Sequence, residues 1–284
     1  MSSESDTAST DSESVATTHP FCADDADVII RAKGPLDFRV HKCNLSFVSP
    51  VFKDMFTIPQ PSFNTLDVLP HANVQDPPGA WENILRTIYP MPNPTIDNID
   101  DLESLLLTAK KYEMKYVIDS HIRCFENRAF IRDDPLRLYT IACAGGFEEQ
   151  AKYVASHAEH STVVGRSDIG DLESLTLDSY HRLVSFLLKR DKEWDQILAK
   201  AQIPGKFRCK CTSRSEVYGM IKRDLGAPHF STDEIYLNSL KRSSEKCTTS
   251  IDKIELCGLE TSKVRGFIDS MAAKKDQLCN KLMW

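Results

Sequence analysis

Apolar positions in the N-terminal part of the chain follow two different periods, and each period predicts a different kind of element. Val28, Ile29 and Ile30 form a short apolar run, Lys33-Gly34-Pro35 supplies turn chemistry, and Leu36, Phe38 and Val40 then alternate with Asp37 and Arg39. That pattern predicts a strand, a turn and a second strand. His41 opens a segment with Leu45 and Val48 at helical spacing, and Pro50 restarts a helix carrying Val51, Met55 and Phe56, so two short helices are expected next. Thr65 to Leu69, between Pro61 and Pro70, reads as a third strand, followed by an irregular loop up to Gly79. Trp81, Ile84, Leu85 and Ile88 share one helical face, and Pro90 stops that helix after Tyr89.

Helical spacing dominates the rest. Asp100 precedes Glu103 by three, the layout of a capping box, and Leu102, Leu105, Leu106 and Ala109 follow as a stripe. Ile118, His121, Ile122 and Phe125 make another, so Ile96 to Phe125 is expected to form a helical hairpin. A second hairpin starts at Asp134-Pro135, breaks at Gly145-Gly146 and resumes with Phe147, Ala151, Val154, Ala155 and Ala158. Tyr180, Leu183, Val184, Leu187 and Leu188, then Trp194, Ile197, Leu198 and Ala201, carry the helical reading to a boundary at Ile203-Pro204-Gly205. Beyond Lys206 the pattern weakens, with Tyr236, Leu240, Cys247, Ile251 and Ile254 spaced as for one long helix. The expected fold class is α+β: a short sheet with clustered helices over residues 21–130, a helical extension over 131–203, and a weakly patterned, partly helical segment over 204–284.

A length of 284 residues accommodates two modest domains. The formal net charge of -6 argues against direct binding of nucleic acid, whose affinity comes largely from lysine and arginine on phosphates. The first 20 residues are mostly Ser, Thr, Asp and Glu and read as a disordered acidic tail, with neither the basic start nor the apolar stretch of a secretory signal. No run reaches the roughly 18 to 20 apolar residues of a membrane helix, so a soluble intracellular protein, cytoplasmic or nuclear, is expected. Nine cysteines fit reduced thiols in such a compartment better than a disulfide framework.

Candidate chemistry is sparse. Cys143 lies in Ala142-Cys143-Ala144-Gly145, but without the glutamine and the upstream histidine of a cysteine-protease loop, and reads as a buried helix-end thiol. Cys209-Lys210-Cys211 is the one close cysteine pair, whereas zinc sites want two such pairs or a Cys pair with a His pair. Asp100-Asp101, Asp133-Asp134 and Glu148-Glu149 fall at expected helix starts, where they complement the helix dipole. Lys110-Lys111 and Lys274-Lys275 read as solvated helix faces. No phosphate loop, G-x-S-x-G elbow or H-E-x-x-H pair occurs, so no catalytic residue, no cofactor and no metal site is expected.

The order of elements, with Asp27 and Val28 in the opening strand, then Phe38, His41, Leu45, Ser49, Phe52, Met55 and Phe56 at their spacings, resembles the BTB/POZ family. The segment from Leu105 to Met114 is similar to that family's Leu-x-x-Ala-x-x-Tyr signature, and the resemblance spans Asp24 to Glu126. These positions form a structural signature: the apolar ones bring hairpin and helices onto one core, and the His41 ring is expected to hydrogen-bond open backbone groups at the helix start. Helices after such a domain are similar in placement to the extension many family members carry.

The resemblance implies a protein–protein interaction module that self-associates as a homodimer or hetero-oligomer and recruits partners as a scaffold. The alternative it implies is a substrate adaptor for a cullin-type ubiquitin ligase. Family adaptors often carry a hydrophobic-x-Glu motif after the Met-Phe pair, where this chain has Ile58-Pro59-Gln60 and no glutamate until Glu82. Val48 likewise fills a slot that is basic in members dimerising around a charged pocket.

Overall fold

A computed structural model describes residues 20–34, 36–58, 69–164, 174–202, 219, 221, 223–225, 231–235 and 261–283. The expected hairpin is present: β1 (Val28–Arg31) pairs antiparallel with β2 (Asp37–Val40), in a register that sets Val28 opposite Val40 and Ile30 opposite Phe38. All four of those side chains are buried, so the strand alternation points one face of the hairpin at the core. Gly34, at φ 115°, supplies the left-handed turn conformation that side-chain-bearing residues rarely adopt.

Among the described residues the third strand is one that no apolar run marked, and the strand expected at Thr65 to Leu69 falls almost wholly outside them. Residues 65–68 are outside the described residues and Leu69 is not in a strand, while β3 (His71–Asn73) sits in the segment read as loop and pairs parallel with β1, giving the order β2-β1-β3. It is held by its backbone rather than by an apolar face: the Ile29 N–H donates to Pro70 O at 2.9 Å, and the Val74 N–H donates to Arg31 O at 2.9 Å. His71 and Asn73 are exposed, the polar dressing of an edge strand, and for that reason the periodicity of hydrophobic residues did not reveal it.

Between β2 and β3 run α1 (Lys42–Val48) and α2 (Pro50–Thr57); after β3 come α3 (Pro78–Ile88), α4 (Ile99–Lys111) and α5 (Lys115–His121), the last continued by a 3-10 turn over Ile122–Glu126. The start of α4 differs from the expected capping box. Asn98 is the cap and its side chain accepts from the Asp101 N–H, while Asp100 sits inside the first turn and Glu103 accepts from Arg137 at 2.8 Å. Asparagine is as good a cap as aspartate, and it sits one residue before Ile99, the first buried apolar position of the helix.

Helix α4 has two buried faces. Leu105 and Ala109 join Phe38, Leu45, Phe52, Trp81 and Leu85 in the core beneath the sheet, whereas Leu102 and Leu106 belong to a second core built with the following helices. Those are α6 (Arg128–Asp133), α7 (Pro135–Gly145), α8 (Glu148–His157), α9 (His160–Val164) and α10 (Leu177–Lys200). The second hairpin is as its punctuation predicts: the Asp134 side chain caps α7, with Pro135 in its first turn, and Gly146 ends it at φ 69°. Packing is therefore continuous from the sheet through α4 into the helical region.

A third core joins Trp194 and Leu198 of α10 to Ile221, Leu225 and Ile235 and to Val264, Ile268, Met271 and Leu278 of α11 (Thr261–Leu282). The long helix expected around Tyr236 to Ile254 lies outside the described residues, as do the boundary at Ile203-Pro204-Gly205 and the Cys209–Cys211 pair. Helix α11 escaped the sequence pattern because Lys275 occupies a position of its apolar stripe. Lys275 is half-buried rather than solvated: its ammonium donates to Leu225 O at 3.2 Å and lies 5.8 Å from the centre of the Trp194 ring.

Two half-buried or buried histidines make stability depend on pH. His121 Nε2 lies 2.9 Å from Thr87 Oγ1, whose own proton goes to Asn83 O at 2.8 Å, so the imidazole is the donor. Burial pushes the pKa of His121 down, and burial is also the main cause of the lowered pKa of His157. The unfolded chain binds these protons near pH 6.5 while the folded chain binds them only at lower pH, so the unfolded state holds more protons in that window. Denaturant unfolding is expected to give a constant contribution from both groups above pH 6.5 and a progressive loss as pH falls below it. A His121→Gln variant showing the wild-type slope between pH 7.5 and 5.5 would remove His121 from this account.

A candidate interaction surface

The residues of the resemblance are brought together around the start of α1 and α2. Asp27, although exposed, accepts the Lys42 backbone N–H on Oδ1 at 2.7 Å, and so satisfies a donor that the first turn of α1 leaves open. The His41 ring does not take that part. Its backbone N–H donates to Tyr89 Oη at 2.9 Å, its Nδ1 is 3.0 Å from the same oxygen, and its Nε2 is 3.4 Å from Asp25. Tyr89 thus ties the start of α1 to the end of α3.

Ser49 is fully buried and acts twice. It caps α2 by accepting the Phe52 N–H at 3.2 Å, and it donates to Tyr112 O, the carbonyl just past α4, at 2.6 Å. Phe52 then enters a cluster of rings, with centroids 5.0 Å from Tyr112, 5.6 Å from Trp81 and 5.7 Å from Phe56. Met55 and Phe56 are half-buried on the rim of this cluster, and Val28, Phe38 and Leu45 lie beneath it. Tyr112 donates its hydroxyl to Asp76 at 2.8 Å, and Lys111 reaches both oxygens of that carboxylate at 2.9 Å. Burial first, and Asp76 second, raise the pKa of the Tyr112 hydroxyl and keep it a donor.

Tyr89, Asp25 and Asp76 were not singled out from the sequence. Tyr89 reads only as the residue before a proline, and Asp25 and Asp76 lie in polar segments where no period marks them. Tyr112, by contrast, stands in the Leu-x-x-Ala-x-x-Tyr segment.

Part of what this scaffold presents outward is apolar. Phe47 on α1 is 91% exposed, Ile58 after α2 is 60% exposed, and Val51 on α2 and Tyr116 on α5 are also open. Pro59 and Gln60 lie outside the described residues. Among the described residues no group of three or more His, Cys, Asp or Glu could hold a metal ion, and no helix is long and apolar enough to cross a membrane. Cys143 is half-buried near the end of α7 and its thiol is pushed up by burial, the opposite of an activated nucleophile.

Comparison with known proteins agrees with this geometry over the N-terminal region: a family model described as BTB/POZ domain matches residues 20–127. A search of curated proteins finds no match to the chain.

Proposed function

We propose, from the premise that this is a BTB/POZ-domain protein with its domain at residues 20–127, that it acts without enzymatic chemistry, by associating with itself and recruiting a protein partner through that domain. BTB/POZ domains are protein–protein interaction modules, and the observation that favours use of this one in self-association is Phe47. A phenylalanine 91% exposed on a helix whose start is pinned by Asp27 and whose end abuts the buried Ser49 is a preformed apolar anchor. Burying such a side chain contributes about 1.5–3 kcal/mol, and rigid aromatic anchors dominate interface energies.

In this reading Asp27, Val28, Phe38, His41, Leu45, Ser49, Phe52, Met55 and Phe56 hold the surface in shape. Residues 21–130 are the interaction module, 131–203 its helical extension and 204–284 a partly helical C-terminal segment, and the site of action is the cytoplasm or the nucleus.

The full chain at tens of micromolar is expected to run as a dimer or larger species in size exclusion with light scattering. Phe47→Asp is expected to weaken that association about 10- to 100-fold, the equivalent of one buried phenylalanine. A strictly monomeric wild-type chain would overturn self-association. A monomer that binds the N-terminal region of a cullin scaffold at micromolar concentration would move the protein to the adaptor reading.

A further inference from the structure

We propose that α10 carries a second self-association surface, a stripe of Leu177, His181, Val184 and Leu188 that pairs antiparallel with the same stripe of a second copy. The inner face of α10 is already engaged: Leu183, Phe186, Leu187, Arg190, Trp194 and Leu198 are buried. The stripe lies on another face. Leu177 is 82% exposed and Leu188 53% exposed, with His181 exposed between them and Val184 half-buried, packed in part against the inner core. Leu188, read from the sequence only as part of the helical pattern, completes this outer row.

The spacing is that of a coiled-coil seam. Steps of four, three and four residues place Leu177, His181, Val184 and Leu188 at alternating d and a positions of a heptad. Read backward, the steps are again four, three and four. An antiparallel copy therefore sets Leu177 against Leu188 of the other chain and Val184 against His181, so that leucine pairs close both ends of the seam around the two imidazoles.

Charge selects the same orientation. Asp178 and Lys192 flank the stripe on one side, at its opposite ends, and both are exposed. Antiparallel pairing brings Asp178 beside Lys192 of the second copy, whereas in a parallel pair the two would lie on opposite sides of the seam and could not meet. Asp178 accepts from Arg182 at 2.6 Å within its own helix while its side chain stays 80% exposed.

At 1.5 Å per residue the seam is roughly 16 Å long, too short to bury the ~1,200 Å² of a stable interface by itself. It gains from a first contact that raises the local concentration. The inference rests on the self-association through the BTB/POZ domain to that extent: with two separate isologous surfaces, assemblies grow beyond the dimer as concentration rises.

Sedimentation of the full chain over a concentration series tests this with four proteins: wild type, Phe47→Asp, Leu188→Asp and the double variant. Wild type is expected to exceed the dimer mass, Leu188→Asp to stop at the dimer, and the double variant to be monomeric. Leu188→Asp is expected to raise the concentration needed for growth at least about tenfold. A Leu188→Asp profile superimposable on wild type would overturn the seam. If Phe47→Asp behaves as wild type while Leu188→Asp is monomeric, the seam stands and the BTB/POZ surface fails. A charge exchange guards against misfolding: Asp178→Lys and Lys192→Asp should each weaken growth, and the two together should restore it. Failure of the exchange to restore growth, with both single variants impaired, would likewise overturn the antiparallel pairing.

Discussion

Phe52→Ala is expected to lower the unfolding free energy of the N-terminal region by about 3–5 kcal/mol, the range for emptying a buried phenylalanine site. Phe52 has 1% of its surface exposed and lies at the meeting point of Trp81, Tyr112 and Phe56, edge-on to Trp81 at an interplanar angle of 89°. Edge-to-face ring pairs add to the burial of area, so several contacts are lost with one ring. Collapse into the space is blocked on two sides. Ser49 ties the start of α2 to the end of α4, and the Asp76 bond fixes the Tyr112 ring. Phe56→Ala, on the half-buried rim, is the control and is expected to cost less than half as much. Because several cores share the chain, the transition should be followed by near-ultraviolet dichroism of the aromatic cluster as well as by helix content. A loss under about 1 kcal/mol for Phe52→Ala would mean that the cluster relaxes around the gap and is not the rigid base of the surface.

The parts of the fold that sequence made legible are those where period and punctuation agree. The hairpin alternation puts Val28, Ile30, Phe38 and Val40 on one face, and Asp134-Pro135 with Gly145-Gly146 bounds α7 with a cap at one end and a left-handed residue at the other. The parts that were not legible are held by backbone or by polar groups, which leave no apolar period. Strand β3 pairs through main-chain bonds with exposed side chains, α4 is capped by Asn98 in place of Asp100, and the His41 ring finds Tyr89, distant in sequence, rather than its own helix start. The surface shows the same division. The side chains that shape it follow a recognisable spacing because they share a core, whereas the exposure of Phe47 was not evident, since an aromatic residue within a helical segment reads as core until its neighbours are placed.

Arg190→Leu is expected to cost about 3–4 kcal/mol, in the range seen when one partner of a buried polar network is removed. Arg190 stands where the spacing of Leu183, Leu187 and Trp194 would put an apolar residue, yet its side chain is only 5% exposed. Its guanidinium explains this. One nitrogen donates to Ala158 O at 2.8 Å, Ser156 O at 3.2 Å and Ala155 O at 3.3 Å, and the other two hold Asp191 at 2.9 and 2.7 Å. Those carbonyls belong to the end of α8, where a helix has no acceptors' partners of its own. Arg190 therefore caps α8 from the neighbouring α10, and leucine would fill the volume while leaving buried carbonyls unsatisfied, at about 1–3 kcal/mol for each group fully stripped of partners. Arg190→Lys keeps the charge but not the fork, and is expected to recover part of the loss. Hydrogen exchange locates the effect: amides of the last turn of α8 should exchange faster in Arg190→Leu, while those of α3 and α4 keep their protection. Wild-type stability in Arg190→Leu, with α8 exchanging as before, would show that α8 and α10 dock by their apolar faces alone.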